Sequence, residues 1–278
     1  MNELNLKNKV AVVTGGAGVI CSTMAKSLAA EGVKTVILDL NKDAAEKVAA
    51  EIEKEFKTKS IGVSASVLDK SSLEGALKEI HEKLGPIDIL VNGAGGNSPA
   101  ATTKCERMEG NEKPEDTFFG LQIEGFDKVF DLNFKGTLLP SMVFGADLVA
   151  KKSGVIINIS SMNSYRPLTK IPAYSAAKSA INNFTQWLAV HFAKVGVRVN
   201  AIAPGFLITN QNRFLLLDEK SGEMTPRGKK IMNGTPMERY CVPEDLTGTL
   251  LYLVSDYSKA VTGIIIPVDG GFSAYSGV

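Results

Sequence analysis

V-A-V-V-T-G-G-A-G-V-I-C, residues 10–21, carries the reading on which the rest of the chain depends. Residues 10–13 are an apolar, largely β-branched run of strand length. Gly15, Gly16 and Gly18 follow at once, and a helical pattern then reaches residue 31. A strand that turns through glycines into a helix opens a βαβ unit. Its glycines let the backbone approach a pyrophosphate seated on the helix N-terminus. Alone the turn is a weak signal.

What surrounds it strengthens it. Apolar runs at 35–38, 61–63 and 87–91 alternate with helical stretches at 43–57 and 71–83. The runs are continuous, not alternating, as expected of strands covered on both faces. The pattern predicts an α/β fold: a single-domain doubly wound parallel sheet of Rossmann type, with helices on both faces, spanning residues 1–278. Ligands are then expected at the carboxyl ends of the strands. The second run ends on Asp39, twenty-four residues beyond Gly15. A carboxylate there accepts hydrogen bonds from the adenosine ribose hydroxyls and repels a 2′-phosphate. Leu40 and Asn41 follow it, with no arginine close behind, which favours NAD over NADP. Asp39 also reads as an N-cap for the following helix.

Composition narrows the functional classes. Against 31 basic residues stand 30 acidic ones, a net charge of +1 over 278 residues, so nothing argues for nucleic acid or an anionic membrane. No run of about eighteen apolar residues suggests a membrane span, and residues 1–8 lack the apolar core of a signal peptide. Cys21, Cys105 and Cys241 have no paired spacing and read as free thiols of a reducing cytoplasm. His81 and His191 lie apart from any second ligand, so no metal site is expected.

Residues 155–180 carry the chemistry: V-I-I-N-I-S-S-M-N-S-Y-R-P-L-T-K-I-P-A-Y-S-A-A-K-S-A. An apolar strand runs into Ser160 and Ser161, and a loop broken by Pro167 and Pro172 leads to a helix. Tyr174 and Lys178 share one face of that helix, and the loop is long enough to bring Ser161 over it. A phenol has a pKa near ~10, and a neighbouring ammonium is expected to lower it into the range of general acid–base work. The set suits proton transfer at a ketone or secondary alcohol, with a separate hydride carrier.

At these residues the sequence resembles the short-chain dehydrogenase/reductase family, over nearly all its length. The family's Ser and Tyr-x-x-x-Lys signature matches Ser161, Tyr174 and Lys178. Its Asn-Asn-Ala-Gly element appears as Asn92-Gly93-Ala94-Gly95, and its catalytic asparagine matches Asn133. Its Pro-Gly element matches Pro204-Gly205, with Thr209 beyond, and Asp269-Gly270-Gly271 matches the turn after the last strand. The resemblance implies catalysis by Ser161, Tyr174, Lys178 and Asn133. It implies NAD held by Gly15, Gly18, Val19, Ile20, Asp39, Val67, Asn92, Ala94, Gly95, Tyr174, Lys178, Pro204, Gly205 and Thr209. Members usually assemble as tetramers through the helices holding the asparagine and the tyrosine, so a homotetramer is expected.

Three positions depart from the family pattern. The later glycines of its Thr-Gly-x-x-x-Gly-x-Gly motif fall on Val19 and Cys21, so Cys21 reads as a small packed residue taking over a packing role. Ser66 stands where many members hold the adenine with an aspartate, a contact that Asp69 could make instead. Gly93 replaces the second asparagine, which reads as a relaxed turn.

Two regions exceed a minimal member: residues 96–121, read as either a substrate lid or a subunit contact, and residues 206–240, read as the substrate loop. The amides at 210–212 and Arg213 suit a polyhydroxylated anion, and Asn163 and Arg166 are further candidates to face it. Substrate contacts are assigned to Ser161, Asn163, Tyr174 and Arg213. The glycine start, the 96–121 insertion and the Q-N-R-F-L-L segment together are similar to the bacterial D-mannonate oxidoreductases (fructuronate reductases) of this family. That likeness implies a small sugar acid as substrate. Other sugar or polyol dehydrogenases, such as gluconate 5-dehydrogenases, are the alternative. A 3-oxoacyl-carrier-protein reductase or a non-catalytic NAD sensor fits less well.

Overall fold

The computed structural model describes residues 4–209, 213–218 and 221–277. Its first half follows the apolar alternation: β1 (Val10–Thr14), α1 (Val19–Ala30), β2 (Lys34–Asp39), α2 (Lys42–Phe56), β3 (Ser60–Ser64), α3 (Lys70–Lys83) and β4 (Ile89–Asn92). Helices α4 (Ile123–Phe130) and α5 (Gly136–Lys151) precede β5 (Gly154–Ile159), and α6 (Pro172–Phe192) precedes β6 (Val197–Pro204). The short helices α7 (Arg213–Leu216) and α8 (Pro226–Asn233) lead to α9 (Thr247–Val254) and β7 (Ile265–Val268).

All seven strands join one parallel sheet in the order β3-β2-β1-β4-β5-β6-β7. Every residue of β1 and β4 is buried, because helices cover both faces. One core, built on Ala11, Val13, Met24, Leu28, Ile157 and Leu250, fills the face under α1 and α9. The other, built on Val12, Leu90, Phe144, Leu148, Ile156 and Leu188, fills the face under α3, α5 and α6. Pro267 lies in β7, an edge strand, where its missing N–H costs no ladder bond on the open side. The Rossmann expectation holds.

The chain runs outward from β1 to β3 and then returns to β4, so the order reverses between β1 and β4. A crevice opens there at the strand ends. Thr14 and Asn92 lie opposite each other at its mouth. Thr14 Oγ1 accepts from the amides of Gly93 (3.0 Å) and Ala94 (3.3 Å), fixing the turn after β4 against the turn after β1. Asn92 Nδ2 donates to Asn158 Oδ1 and Ser141 Oγ, both at 2.9 Å, which ties β4 to β5 and α5.

Two cap readings change. Asn41, not Asp39, caps α2, accepting from Ala44 N at 3.1 Å. Asp69 caps α3, its Oδ1 accepting from Ser71 N (2.9 Å) and Ser72 N (3.4 Å). Residues 96–121 are not structureless. Short 3₁₀ turns at Pro99–Ala101, Pro114–Asp116 and Phe118–Gly120 punctuate the segment. Lys104 pairs with Asp116 within it.

Candidate active site

β5 delivers Ser160 and Ser161 to the rim of the crevice. Ser161 Oγ accepts from Asn163 N at 3.3 Å and so caps the 3₁₀ turn Met162–Ser164. Ser160 Oγ bonds Asn182 Oδ1 at 2.5 Å, anchoring the strand end on α6. Pro172 opens α6 at a position where its missing N–H is no loss. Tyr174 and Lys178 then sit one turn apart on the buried side.

Lys178 is 4% exposed, and its Nζ donates to Ile159 O at 2.8 Å. The ammonium lies 5.5 Å from the centre of the Tyr174 ring. Burial brings Lys178 down from 10.5 to about 8. Burial also pushes the Tyr174 phenol up, while its hydrogen bond with Ser161 pulls it back. The expected lowering of Tyr174 by Lys178 is therefore not what the structure displays. The ammonium is turned to the Ile159 carbonyl, and loss of water around the phenol dominates.

Asn133 lies in a π-helical segment, Asp131–Lys135, between α4 and α5. This wider turn leaves backbone groups out of the α-helical ladder, a feature often found at functional sites. Asn133 is fully buried; its Nδ2 donates to Gly96 O (2.7 Å) and Val129 O (2.8 Å), and its Oδ1 accepts from Gly96 N (3.3 Å). The side chain thus clamps the turn after β4. A Cβ on Gly95 would stand 2.6 Å from Asn133 Oδ1 and 3.4 Å from Lys178 Nζ. The absent side chain leaves open the space between the asparagine and the lysine.

The residues expected to hold the cofactor form a cradle whose chemistry suits a dinucleotide. Gly18 is the N-cap of α1, without a side-chain cap and with no acid in the first turn, so the helix start is left for an anion. Gly15 adopts φ +62, and a Cβ there would stand 2.9 Å from Ala94 Cα, so the two turns meet only through glycine. Val19 and Ile20 form the first turn of α1. Asp39 Oδ2 accepts from Ala17 N (3.2 Å) and Oδ1 from Asn41 N (3.1 Å), holding the carboxylate beside the glycine turn. Pro204 ends β6, and Gly205 N donates to Val268 O at 2.9 Å, joining that end to β7. Thr209 follows, half-buried, its carbonyl accepting from Arg213 N. Val67 is the exception in kind: its side chain is buried in the helix–sheet core, against Gly136.

The family model of the short chain dehydrogenases matches residues 9–220. The protein belongs to that family. It is 52% identical to the uncharacterised oxidoreductase UxuB of Bacillus subtilis, over 99% of this chain and 98% of that one. A Haemophilus influenzae structure described as a candidate D-mannonate oxidoreductase with bound NAD superimposes with a TM-score of 0.94. It is 51% identical, covering 99% of this chain and 98% of that one. The 2-dehydro-3-deoxy-D-gluconate 5-dehydrogenase of Dickeya dadantii is 32% identical over 99% of both chains.

A pocket opens beside the serine and tyrosine. A cavity of about 190 Å³ is lined there by Ser161, Asn163, Tyr174, Gly205, Leu216 and Arg227. Arg213 is exposed at the start of α7 and lines no part of it; Arg227, at the start of α8, does. Arg166 points elsewhere, donating to Tyr275 O at 2.7 Å. The amides at 210–212 lie outside the described residues. A second cavity of about 220 Å³ adjoins the first, sharing Leu168, Phe206 and Arg227 with it. The 96–121 segment forms its far wall: Glu106 pairs with Lys230 of α8 at 2.5 Å, and Thr103 N donates to Lys170 O at 2.9 Å. A larger hollow, about 350 Å³, opens at the opposite sheet end between Lys9, Asp88 and Lys259, and no catalytic side chain lines it.

Sequence reasoning missed Arg227 and the Glu106–Lys230 pair. The only local signal for Arg227 is its place just after Pro226, at a helix start. Nothing in spacing ranks it above Arg213.

Proposed function

We propose that this protein is an NAD-dependent oxidoreductase that interconverts a ketone and a secondary alcohol on a sugar acid, D-fructuronate and D-mannonate being the pair best supported. The observation that carries the reading is the cavity itself. Beside the Ser161–Tyr174–Lys178 set it presents an arginine and a buried amide, the groups that suit an anionic, hydroxyl-rich ligand. Asp39 beside the glycine turn supports NAD, as does the bound NAD of the Haemophilus influenzae structure.

In the reductive direction Ser161 donates a hydrogen bond to the ketone oxygen, polarising the carbonyl. Tyr174 gives its phenolic proton to the same oxygen as the alcohol forms. The nicotinamide, when bound, supplies the hydride to the carbonyl carbon. Lys178, cationic below about pH 8, stabilises the phenolate left on Tyr174. Asn133 holds the Gly95–Gly96 turn so that this space stays open. That is a positioning role, because its side-chain donors and acceptor are already bound to backbone. In oxidation the proton runs the other way, from the alcohol to the Tyr174 phenolate.

Exposed Met142 on α5 and Trp187 and Val190 on α6 support assembly as a homotetramer through these helices, which light scattering would test.

The experiment follows the loss of reduced-nicotinamide absorbance with NADH or NADPH and fructuronate, tagaturonate, 5-ketogluconate or an acetoacetyl thioester. Fructuronate-dependent oxidation of NADH is the expected result. Turnover of only another keto acid would keep the chemistry and discard the substrate. With no turnover by a wild type that binds NADH, the catalytic reading fails. Tyr174→Phe is expected to abolish turnover while NADH binding persists.

A further inference from the structure

We propose that Arg227 and Asn163 form a subsite in which the guanidinium reads the substrate carboxylate and the amide oxygen reads a neighbouring hydroxyl. The proposal rests on the sugar-acid reading above and names the residues that select for it.

Asn163 is 3% exposed and lines the catalytic cavity, and its Oδ1, buried beneath the cavity surface, has no hydrogen-bond partner in the protein. A buried carbonyl oxygen without a donor is costly. A ligand hydroxyl supplies the donor. The backbone of Asn163 is also anchored, because its N–H donates to Ser161 Oγ at 3.3 Å. That bond fixes the main chain from which the Asn163 side chain springs, next to the serine that polarises the ketone.

Arg227 is the only arginine or lysine lining the catalytic cavity among the described residues, and it also lines the adjoining one. It is rooted rigidly: Pro226 precedes it, and Thr225 Oγ1 caps the helix by accepting from Gly228 N at 3.0 Å. In the catalytic cavity Leu168, Phe206 and Leu216 share its wall, and on the side of the second cavity the Glu106 carboxylate feels its charge. A guanidinium in such a wall binds a carboxylate in two-pronged fashion, which a neutral hydroxymethyl group cannot reproduce. On the far side Arg107 and Lys230 add positive charge and Glu106 offsets one of them. The second cavity thus stays net positive and accommodates the acid end of an extended ligand. A ketone bound at Ser161 and Tyr174 then has its hydroxyls beside Asn163 and its carboxylate on Arg227.

The test compares fructuronate with D-fructose, a ketose of equal length without the carboxylate, for wild type, Arg227→Gln, Arg227→Lys and Asn163→Ala. Arg227→Gln is expected to raise KM for the acid about 100-fold while kcat on the acid stays within a few-fold, and to cost any turnover of D-fructose, which has no carboxylate to lose, far less. Arg227→Lys should recover part of the affinity, and Asn163→Ala should weaken acid and neutral ketose alike. Equal losses on both substrates in Arg227→Gln, or no change on the acid, would overturn the assignment. Calorimetric binding of D-gluconate to the NADH-loaded protein gives a readout without turnover. If wild type reduces no sugar acid but Arg227→Gln still weakens gluconate binding, the reaction assignment fails and the subsite stands. If fructuronate is reduced and Arg227→Gln is indifferent to both ligands, the subsite fails and the reaction stands.

Discussion

The sulfur of Cys21 fills the space that a side chain on Gly93 would need: a Cβ built on Gly93 would overlap Cys21 Sγ. Two departures from the family pattern, a cysteine for a glycine in the nucleotide turn and a glycine for an asparagine after β4, are therefore one exchange of volume. Gly93 is more than a relaxed turn. Its backbone N–H also bonds Thr14 Oγ1, so the backbone there cannot back away from the sulfur.

The exchange predicts coupling. Gly93→Ala should destabilise the protein by about 1–3 kcal/mol through overpacking, and Cys21→Gly in the same molecule should restore most of that loss. Urea unfolding of the two single variants and the double variant gives the coupling energy directly. Additive effects would mean that the two positions do not share this space. Burial also pushes the Cys21 thiol up to about 12, so it stays protonated. Alkylation of the folded protein near pH 8 should spare Cys21 and reach the part-exposed Cys105 first.

Lys178 sets a pH dependence whose sign is fixed by its burial. Its pKa falls from 10.5 to about 8 on folding, so between those values the unfolded state binds more protons and stability rises with pH. Holding the charge buried at neutral pH costs about 3 kcal/mol. Wild-type stability measured against Lys178→Met should therefore improve from pH 8 to pH 10. A difference independent of pH over that range would show that the ammonium is solvated. Activity runs the opposite way, since reduction needs the cation, and kcat should fall as pH rises through about 8.

Asp39 predicts the cofactor. Its carboxylate is oriented by Ala17 N and Asn41 N, and Leu40 beside it is exposed. Asp39→Ala with Leu40→Arg should lower kcat/KM for NADH by about 10-fold or more, through loss of charged hydrogen bonds, and raise it for NADPH. Unchanged discrimination in steady-state assays would show that the preference is set elsewhere.

The sheet and the catalytic trio were legible because both are local patterns. Buried parallel strands write themselves as apolar runs, and Tyr174 and Lys178 share a helix face by spacing alone. Long-range features were not. The Cys21–Gly93 exchange and the Glu106–Lys230 pair, whose members lie 124 positions apart, depend on how distant segments meet. Arg227 and Arg213 look alike in sequence, and only the fold puts one in the cavity wall. The π-helical turn at Asn133 leaves no residue signature, and the clamp of its side chain on Gly96 joins segments 37 positions apart. Tyr174's raised pKa was misread because a partner was counted and the loss of solvent was not.

The insertion supplies the last prediction. Lys230 is largely exposed, and an ion pair at such a surface contributes about 0–1 kcal/mol. Lys230→Gln should thus leave the melting temperature nearly unchanged. Yet Glu106 and Lys230 both line the second cavity, and their pair joins the insertion to α8, which also carries Arg227. Loosening that tether should raise KM for the acid substrate several-fold and speed proteolytic cutting within residues 96–121, and the Glu106→Gln variant should behave alike. If both variants keep wild-type KM and wild-type cleavage, the insertion is held by its backbone bond from Thr103 to Lys170 and its own 3₁₀ turns, and the ion pair does not shape the site.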